Sequence, residues 1–313
     1  MYYSIFEDKL QYFAILLKMS ANINSTVMMS GVDYFDDSAA INPFMDSSVA
    51  VNREEAGKEH AAIKSALQQA GVNVIQVPPP KNCQDGVYTA NWALVRRGKA
   101  VMARLPNARQ AEEPYAAQVL RDLGKNIVEI PEGLRFSGQG DALPCGDYLF
   151  CGSNYRSDLV AQEFAADKLG YERIQLQTVP QTNWFGRPVI NKFSGWPDSF
   201  FYDIDLALSV IRGPEGDKKG IIAWCPEAFT KKSRQLLQDF DGIEKIEVSL
   251  REAKEAFACN LVSTGKTVVM GDNAPDLRRQ LEMRGLTVFT PHVRELLKGG
   301  GYIRCTTLTL DTY

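Results

Sequence analysis

Apolar and polar positions along this chain repeat one pattern five times: an amphipathic helix, a glycine near its C-terminus, then a β-rich strand. The pattern covers residues 53–77, 112–130, 156–176, 227–248 and 273–289, with helix starts roughly 45 to 70 residues apart. Within each helix the apolar residues recur at spacings of three and four, which puts them on one face. Gly71, Gly124, Gly170, Gly242 and Gly285 stand where a helix end favours a left-handed residue. Further short apolar runs at 100–103, 148–151, 204–210, 220–224 and 267–270 give each unit one helix and about three strands. A unit this small cannot bury its own apolar face, so neighbouring units must cover one another. Neither end carries a polar capping unit, which favours closure around an axis over an open rod. A doubly wound sheet, the alternative, calls for a glycine-rich phosphate loop after an early strand, and the chain has no GxGxxG or Walker-type run.

No linker or low-complexity stretch divides the repeats. The expectation is a short N-terminal extension, residues 1–24, followed by a single domain over 25–313. The apolar run at 12–19 is too short to span a bilayer, and acidic Glu7 and Asp8 precede it where a signal peptide carries positive charge. Met1 and Met19 both remain candidate starts. Between the third and fourth units, residues 183–197 form a long aromatic-rich insert that reads equally as a lid or as a surface excursion.

Composition narrows the function classes. With 313 residues, 45% of them hydrophobic, the chain can build a full core. A net charge of -3 offers no basic field for nucleic acid. The six cysteines show no CxxC pair or regular spacing, which reads as a reduced, cytoplasmic protein without structural metal or disulfide framework.

Chemistry concentrates at the C-terminus. Residues 298–310 read as a final strand opening on three glycines, 299–301, and holding Cys305 beside Thr306 and Thr307. Glycines let the backbone turn sharply or pass close to another group, and threonine hydroxyls can donate to a sulfur anion. Cys305 is therefore a candidate nucleophile, against the plainer reading of a small buried hydrophobe.

The motifs AINPFM (40–45), QDGVYTANWALV (84–95), ARLPNARQAEEPY (103–115), FSGQGDALP (136–144), GSNYRSD (152–158), FYDIDLAL (201–208), FACN (257–260) and GGGYIRCTTLTL (299–310) together resemble the dimethylargininase and arginine dihydrolase group of guanidino-modifying, amidinotransferase-like enzymes. The resemblance spans about residues 27–310. It implies the pentein fold, an α/β five-bladed propeller with pseudo-fivefold repeats, and hydrolysis of a guanidino C–N bond through a cysteine thiouronium intermediate. By the same resemblance Cys305 would be the nucleophile. Asp85, Asn91 and Asp141 would line the guanidinium side with Asp205 nearby, and Asn42, Arg104 and Arg156 would hold the α-amino and α-carboxylate end. The expected partner is a small guanidino compound, arginine or a derivative, with no cofactor, no metal, no nucleic acid, no membrane, and room for a homo-oligomer.

Two positions depart from the family pattern. Ser137 stands where the family has Glu, and Asp203 where it has His. A positioned acid or base is worth roughly 10²–10⁴-fold, about 3–5 kcal/mol of barrier, so the exchange bears directly on turnover. Asp203 is the candidate replacement acid, with Ser137 lining the site. The chain has only two histidines. His60 reads as a solvated helix residue, and His292 stands at a corner before the last strand. The alternative to a hydrolase is a catalytically silent pentein that binds a guanidino or ureido ligand, or a protein partner, as a sensor. A pentein like the ribosome anti-association factor would not need the cysteine, arginines and aspartates together.

Overall fold

The computed structural model describes residues 23–46 and 48–311; the expected extension lies outside them apart from Ile23 and Asn24, as does the apolar run at 12–19. Among the described residues, fifteen strands form five three-stranded sheets, each with its middle strand antiparallel to one neighbour and parallel to the other. The chain is a five-bladed α/β propeller, the pentein fold. Blade by blade the sequence supplies two strands, a helix and a third strand. In the second blade these are β3 (Ala93–Arg96), β4 (Lys99–Met102), α2 (Glu112–Asp122) and β5 (Asn126–Val128). The first blade differs, because its inner strand is the chain's last: β15 (Leu308–Thr309) pairs antiparallel with β1 (Thr26–Met29), Val27 opposite Thr309. That pairing puts the C-terminal strand into the first blade and so closes the ring.

Local chemistry explains the elements. Helix α1 (Arg53–Gln69) starts where the Asn52 side chain accepts from the amides of Glu54 and Glu55, and it buries Ala56, Glu59, His60, Ile63 and Leu67 along one face. Gly71, Gly124, Gly170 and Gly285 take the expected left-handed φ, between 70° and 88°. Gly242 does not: the helix Lys231–Asp239 ends on an extended Phe240, whose ring packs over Gly242 and edge-on to Tyr148.

Two expectations are corrected. His60 is buried, and desolvation pushes it down to about 4, because the α1 face carrying Ile63 and Leu67 packs inward and takes the imidazole with it. The final strand is shorter than the alternation at 298–310 implied. Residues Leu296–Gly299 form a 3₁₀ turn, Gly300 has a left-handed φ of 80°, and Cys305 lies in a turn closed by the Thr306 amide on the Tyr302 carbonyl, 3.2 Å. A side chain at Gly299 or Gly301 would overlap Tyr88, which is why this segment is glycine and turns instead of extending.

Insert 183–197 has an exposed tip and an anchored foot. Its tip exposes Trp184 (95%) and Phe185 (84%), whereas its foot reaches back, with Asn191 Nδ2 donating to the Ala40 carbonyl at 3.1 Å.

Candidate active site

Each blade's first strand is entered through a tight turn at the axis: Thr89–Trp92, Gly138–Gly140, Ile204–Leu206, a turn at 257–260 and a turn at 302–306. Pseudo-fivefold closure brings these turns together, so residues far apart in sequence meet: Asn91, Ser137, Asp203, Asp205, Asn260 and Cys305. Turn-to-turn bonds fix the ring, as with the Ala90 amide on the Cys305 carbonyl at 3.1 Å.

Cys305 Sγ receives Asn260 Nδ2 at 3.1 Å and faces Asp205 Oδ2 at 3.4 Å, while Asn260 Oδ1 accepts the Cys305 amide at 3.1 Å. Asn260 thus clamps both the backbone and the sulfur. Asp203 lies in the same ring, its Oδ2 accepting Asn91 Nδ2 at 2.8 Å; the same amide donates to Ser137 Oγ at 2.9 Å. Orientation of the Asn91 amide is set from behind by Arg109, which donates to Asn91 Oδ1 at 2.8 Å, to the Asp85 and Tyr88 carbonyls, and to Glu112. Glu112 also accepts Trp92 Nε1.

Of these groups, Asn91, Arg109, Ser137, Asp203 and Cys305 line a narrow cavity with Asn42, Asp85, Arg156 and Tyr202, whose free volume of about 20 Å³ is room for about one water; Asp205 and Asn260 stand behind its wall. Substrate entry therefore requires the walls to open. Asn42 spends its amide on the loops, donating to the Gly299 carbonyl and accepting from the Phe44 amide, both at 3.0 Å. Arg156 donates to the Ile41 carbonyl and stacks 4.9 Å over Tyr202, with Trp196 of the long insert 5.9 Å away. Three buried atoms on the cavity wall have no hydrogen-bond partner: Asp85 Oδ1, Asp203 Oδ1 and Arg156 Nη1. Buried polar atoms are rarely left so in a purely structural role.

Two sequence-derived candidates stand apart. Arg104 does not line the cavity; it pairs with Glu113 at 3.3 Å and Glu129 at 3.1 Å, partly exposed. Asp141 is buried behind the ring, its Oδ1 accepting the Ile204 amide at 3.1 Å, and serves as a tie between blades. Conversely, Arg109, Asn260 and the two tyrosines, Tyr88 and Tyr202, were not singled out. Asn260 lies inside the FACN motif, and Arg109 with Glu112 forms an i,i+3 pair, but nothing in a linear pattern distinguishes such a pair from a solvated one.

Electrostatics at rest favour protons. Burial, then the charges of Asp205 and Asp203, push the Cys305 thiol well up, with the Tyr302 backbone and Asn260 opposing. Burial raises Asp203, against the pull of Arg156, Asn91 and Ser137. Asp205 is raised by burial and by Asp203. Asp85 is pushed up to about 7 by burial, with Arg109 opposing. A cation entering among these groups would favour their ionised forms, thiolate included. Neither histidine takes part: His60 is in α1, and His292 Nδ1 lies 2.7 Å from Asp272 Oδ2 on the surface.

Residues 34–189 match the family model described as N,N dimethylarginine dimethylhydrolase, eukaryotic. The chain is 29% identical over 286 residues to the bifunctional arginine dihydrolase/ornithine cyclodeaminase AgrE of Nostoc, covering 90% of this chain. It is 29% identical over 278 residues to the N(G),N(G)-dimethylarginine dimethylaminohydrolase of Mycobacterium tuberculosis, covering 88% of this chain and 83% of that protein. Only 37% of the length of AgrE, and of its Synechocystis counterpart ArgZ, is spanned by the match. Among solved structures, the product-bound N-terminal domain of ArgZ, an arginine dihydrolase, superposes with a TM-score of 0.78 at 26% identity, covering 91% of this chain and 98% of that domain. A variant of the same domain, covalently bound to a reaction intermediate, superposes with a TM-score of 0.77 at 26% identity, again over 91% and 98%.

Proposed function

We propose that this chain, which belongs with the dimethylargininases and arginine dihydrolases in sequence and fold, hydrolyses a guanidino C–N bond of arginine or a derivative through Cys305. The observation that carries the proposal is the set of unpartnered atoms around the thiol. Asp85 Oδ1 is an acceptor suited to the N–H groups of a guanidinium, Asp203 Oδ1 is free to hold a proton for the leaving nitrogen, and Arg156 Nη1 is a donor suited to a carboxylate. No cofactor is needed for this chemistry.

In the first half-reaction the thiol proton passes to Asp205 Oδ2, and the sulfur attacks the guanidinium carbon. A C–S bond forms, one C–N bond breaks, and the nitrogen leaves as ammonia or an amine with the proton held by Asp203. Water then adds to the thiouronium carbon, giving a proton back to Asp203. The C–S bond breaks as the carbonyl forms and the hydroxyl proton passes to solvent, and the sulfur recovers its proton from Asp205 as the ureido product is released. Asp203 thus takes the place of the family histidine, and its raised pKa keeps a proton available for the leaving nitrogen.

The second reading, a silent binder, rests on a specific observation: the thiol stands beside two carboxylates and no imidazole, which holds it protonated. One experiment separates the two. Incubation with arginine, with ammonia and ureido product followed together, should give both in the wild type and neither in Cys305→Ser; a wild type that binds arginine and releases neither is a silent binder.

A further inference from the structure

A second cavity, with a volume of about 90 Å³, lies behind the ring and shares no lining residue with the first. Asp205 forms part of its wall, together with Ser209, Arg304, Thr309 and Asp311. The partition between the two cavities is the contact of two side chains: Cys305 lines the front one and Asp205 the rear one, with Asp205 Oδ2 3.4 Å from the Cys305 sulfur. Asp205 Oδ1, Ser209 Oγ and Asp311 Oδ1 are all buried without a hydrogen-bond partner. Asp205 is 1% exposed, so its free oxygen must be met by something small that enters the cavity. Arg304 donates to neutral acceptors, the Thr307 carbonyl at 3.0 Å and Gln139 Oε1 at 2.8 Å. Asp311 and Asn24 are only half-buried, which places the rear opening at the surface.

We infer that the rear cavity binds and passes ammonia, the nitrogen lost from the guanidino group, and admits the hydrolytic water by the same route. This rests on the hydrolase reading above. The front cavity has room for about one water, and an amino-acid substrate held at Arg156 would fill its mouth, leaving the departing nitrogen no way out past its own substrate. Rotation of the Asp205 carboxylate away from the sulfur would join the cavities. The three unpartnered oxygens accept N–H bonds, whereas the Arg304 guanidinium disfavours a second cation, so the species that passes is neutral ammonia, protonated by solvent at the rear opening.

The test blocks the rear cavity and follows Cys305 by rapid quench with arginine and intact-protein mass spectrometry, with ammonia release measured in parallel. Ser209→Leu should leave formation of the Cys305 adduct and the KM for arginine near the wild type, lower kcat by about tenfold or more, and abolish product inhibition by added ammonium chloride. Gly213→Ala, which leaves most of the space open and removes no acceptor, should behave as the wild type. Gly213→Leu fills the cavity from another wall and guards against misfolding of the first variant: a Cβ at Gly213 meets nothing nearer than 3.4 Å, and its backbone is not left-handed. Wild-type kcat in folded Ser209→Leu or Gly213→Leu overturns the inference while leaving the hydrolase reading intact. A wild type that forms neither adduct nor ammonia removes both.

Discussion

On the helical shell, Lys58 sits 3.0 Å from Glu54 and 2.7 Å from Glu55 with most of its side chain in water, whereas at the axis Asp85, Asp203 and Asp205 are each at most 2% exposed and each keeps one oxygen without a partner. Exposed pairs are screened and contribute little to stability. Buried carboxylates cost free energy unless protonated or paired, and a fold tolerates them where a ligand completes them. The shell therefore holds charge for solubility and local helix support. On the proposed function, the axis holds charge in reserve for a cation.

Replacing the nucleophile should make the largest break in this contrast. Cys305→Ser is expected to lower turnover of arginine by about 10³-fold or more while arginine still raises the melting temperature, because the carboxylates that receive the guanidinium remain. Ammonia release and thermal shift, measured on one preparation, check both halves.

Asp203→Asn comes next, with an expected loss of about 10²-fold in kcat, since the amide cannot give a proton to the leaving nitrogen. In the wild type, activity should fall as pH rises through the raised Asp203 pKa, and Asp203→His should shift that profile. An unchanged kcat in Asp203→Asn would remove Asp203 from the mechanism.

Asp85 sharpens the comparison by pH. Its folded-state value of about 7 lies above the ordinary 3.8, so the ligand-free protein holds this proton between about pH 4 and 7 while the unfolded chain has lost it. Stability from this group falls as pH rises across that window. Arginine binding has the opposite sign, because the cation prefers ionised Asp85: affinity should increase toward pH 7–8 and then level off. Asp85→Asn should weaken binding by about tenfold and flatten the profile, as read by calorimetry.

The smallest effect belongs to the shell. Lys58→Ala should shift the melting temperature by no more than about 1 °C and leave arginine turnover unchanged.

The repeat period, the helix faces and four of the five left-handed glycines were legible in the chain, because amphipathic spacing and helix termination are local requirements written in nearby residues. Motifs drew attention to Cys305, Asp85, Asn91, Asp203 and Arg156, which meet at one cavity. The failures share a cause. Arg104 looks like Arg156 in sequence, yet Glu113 and Glu129 claim it and no local signal says so. His60 looked solvated until the inner face of α1 was packed.

Sequence by itself determined that five similar units exist and that each must cover its neighbour, since none can bury its own apolar face alone. The turn at Gly300 belongs to the other side: the alternation at 298–310 read as a strand, and only packing against Tyr88 and Asn42 makes the segment turn. Only the tertiary structure decided which turns share the axis, that Asn260 and Asp205 bracket the Cys305 sulfur, and that Arg109 orients Asn91. The physical reason is ring closure: when Leu308–Thr309 pairs with Thr26–Met29, turns as far apart as Thr89 and Thr306, 217 residues, are forced within hydrogen-bonding reach, and no pattern along the chain encodes which side chains then touch.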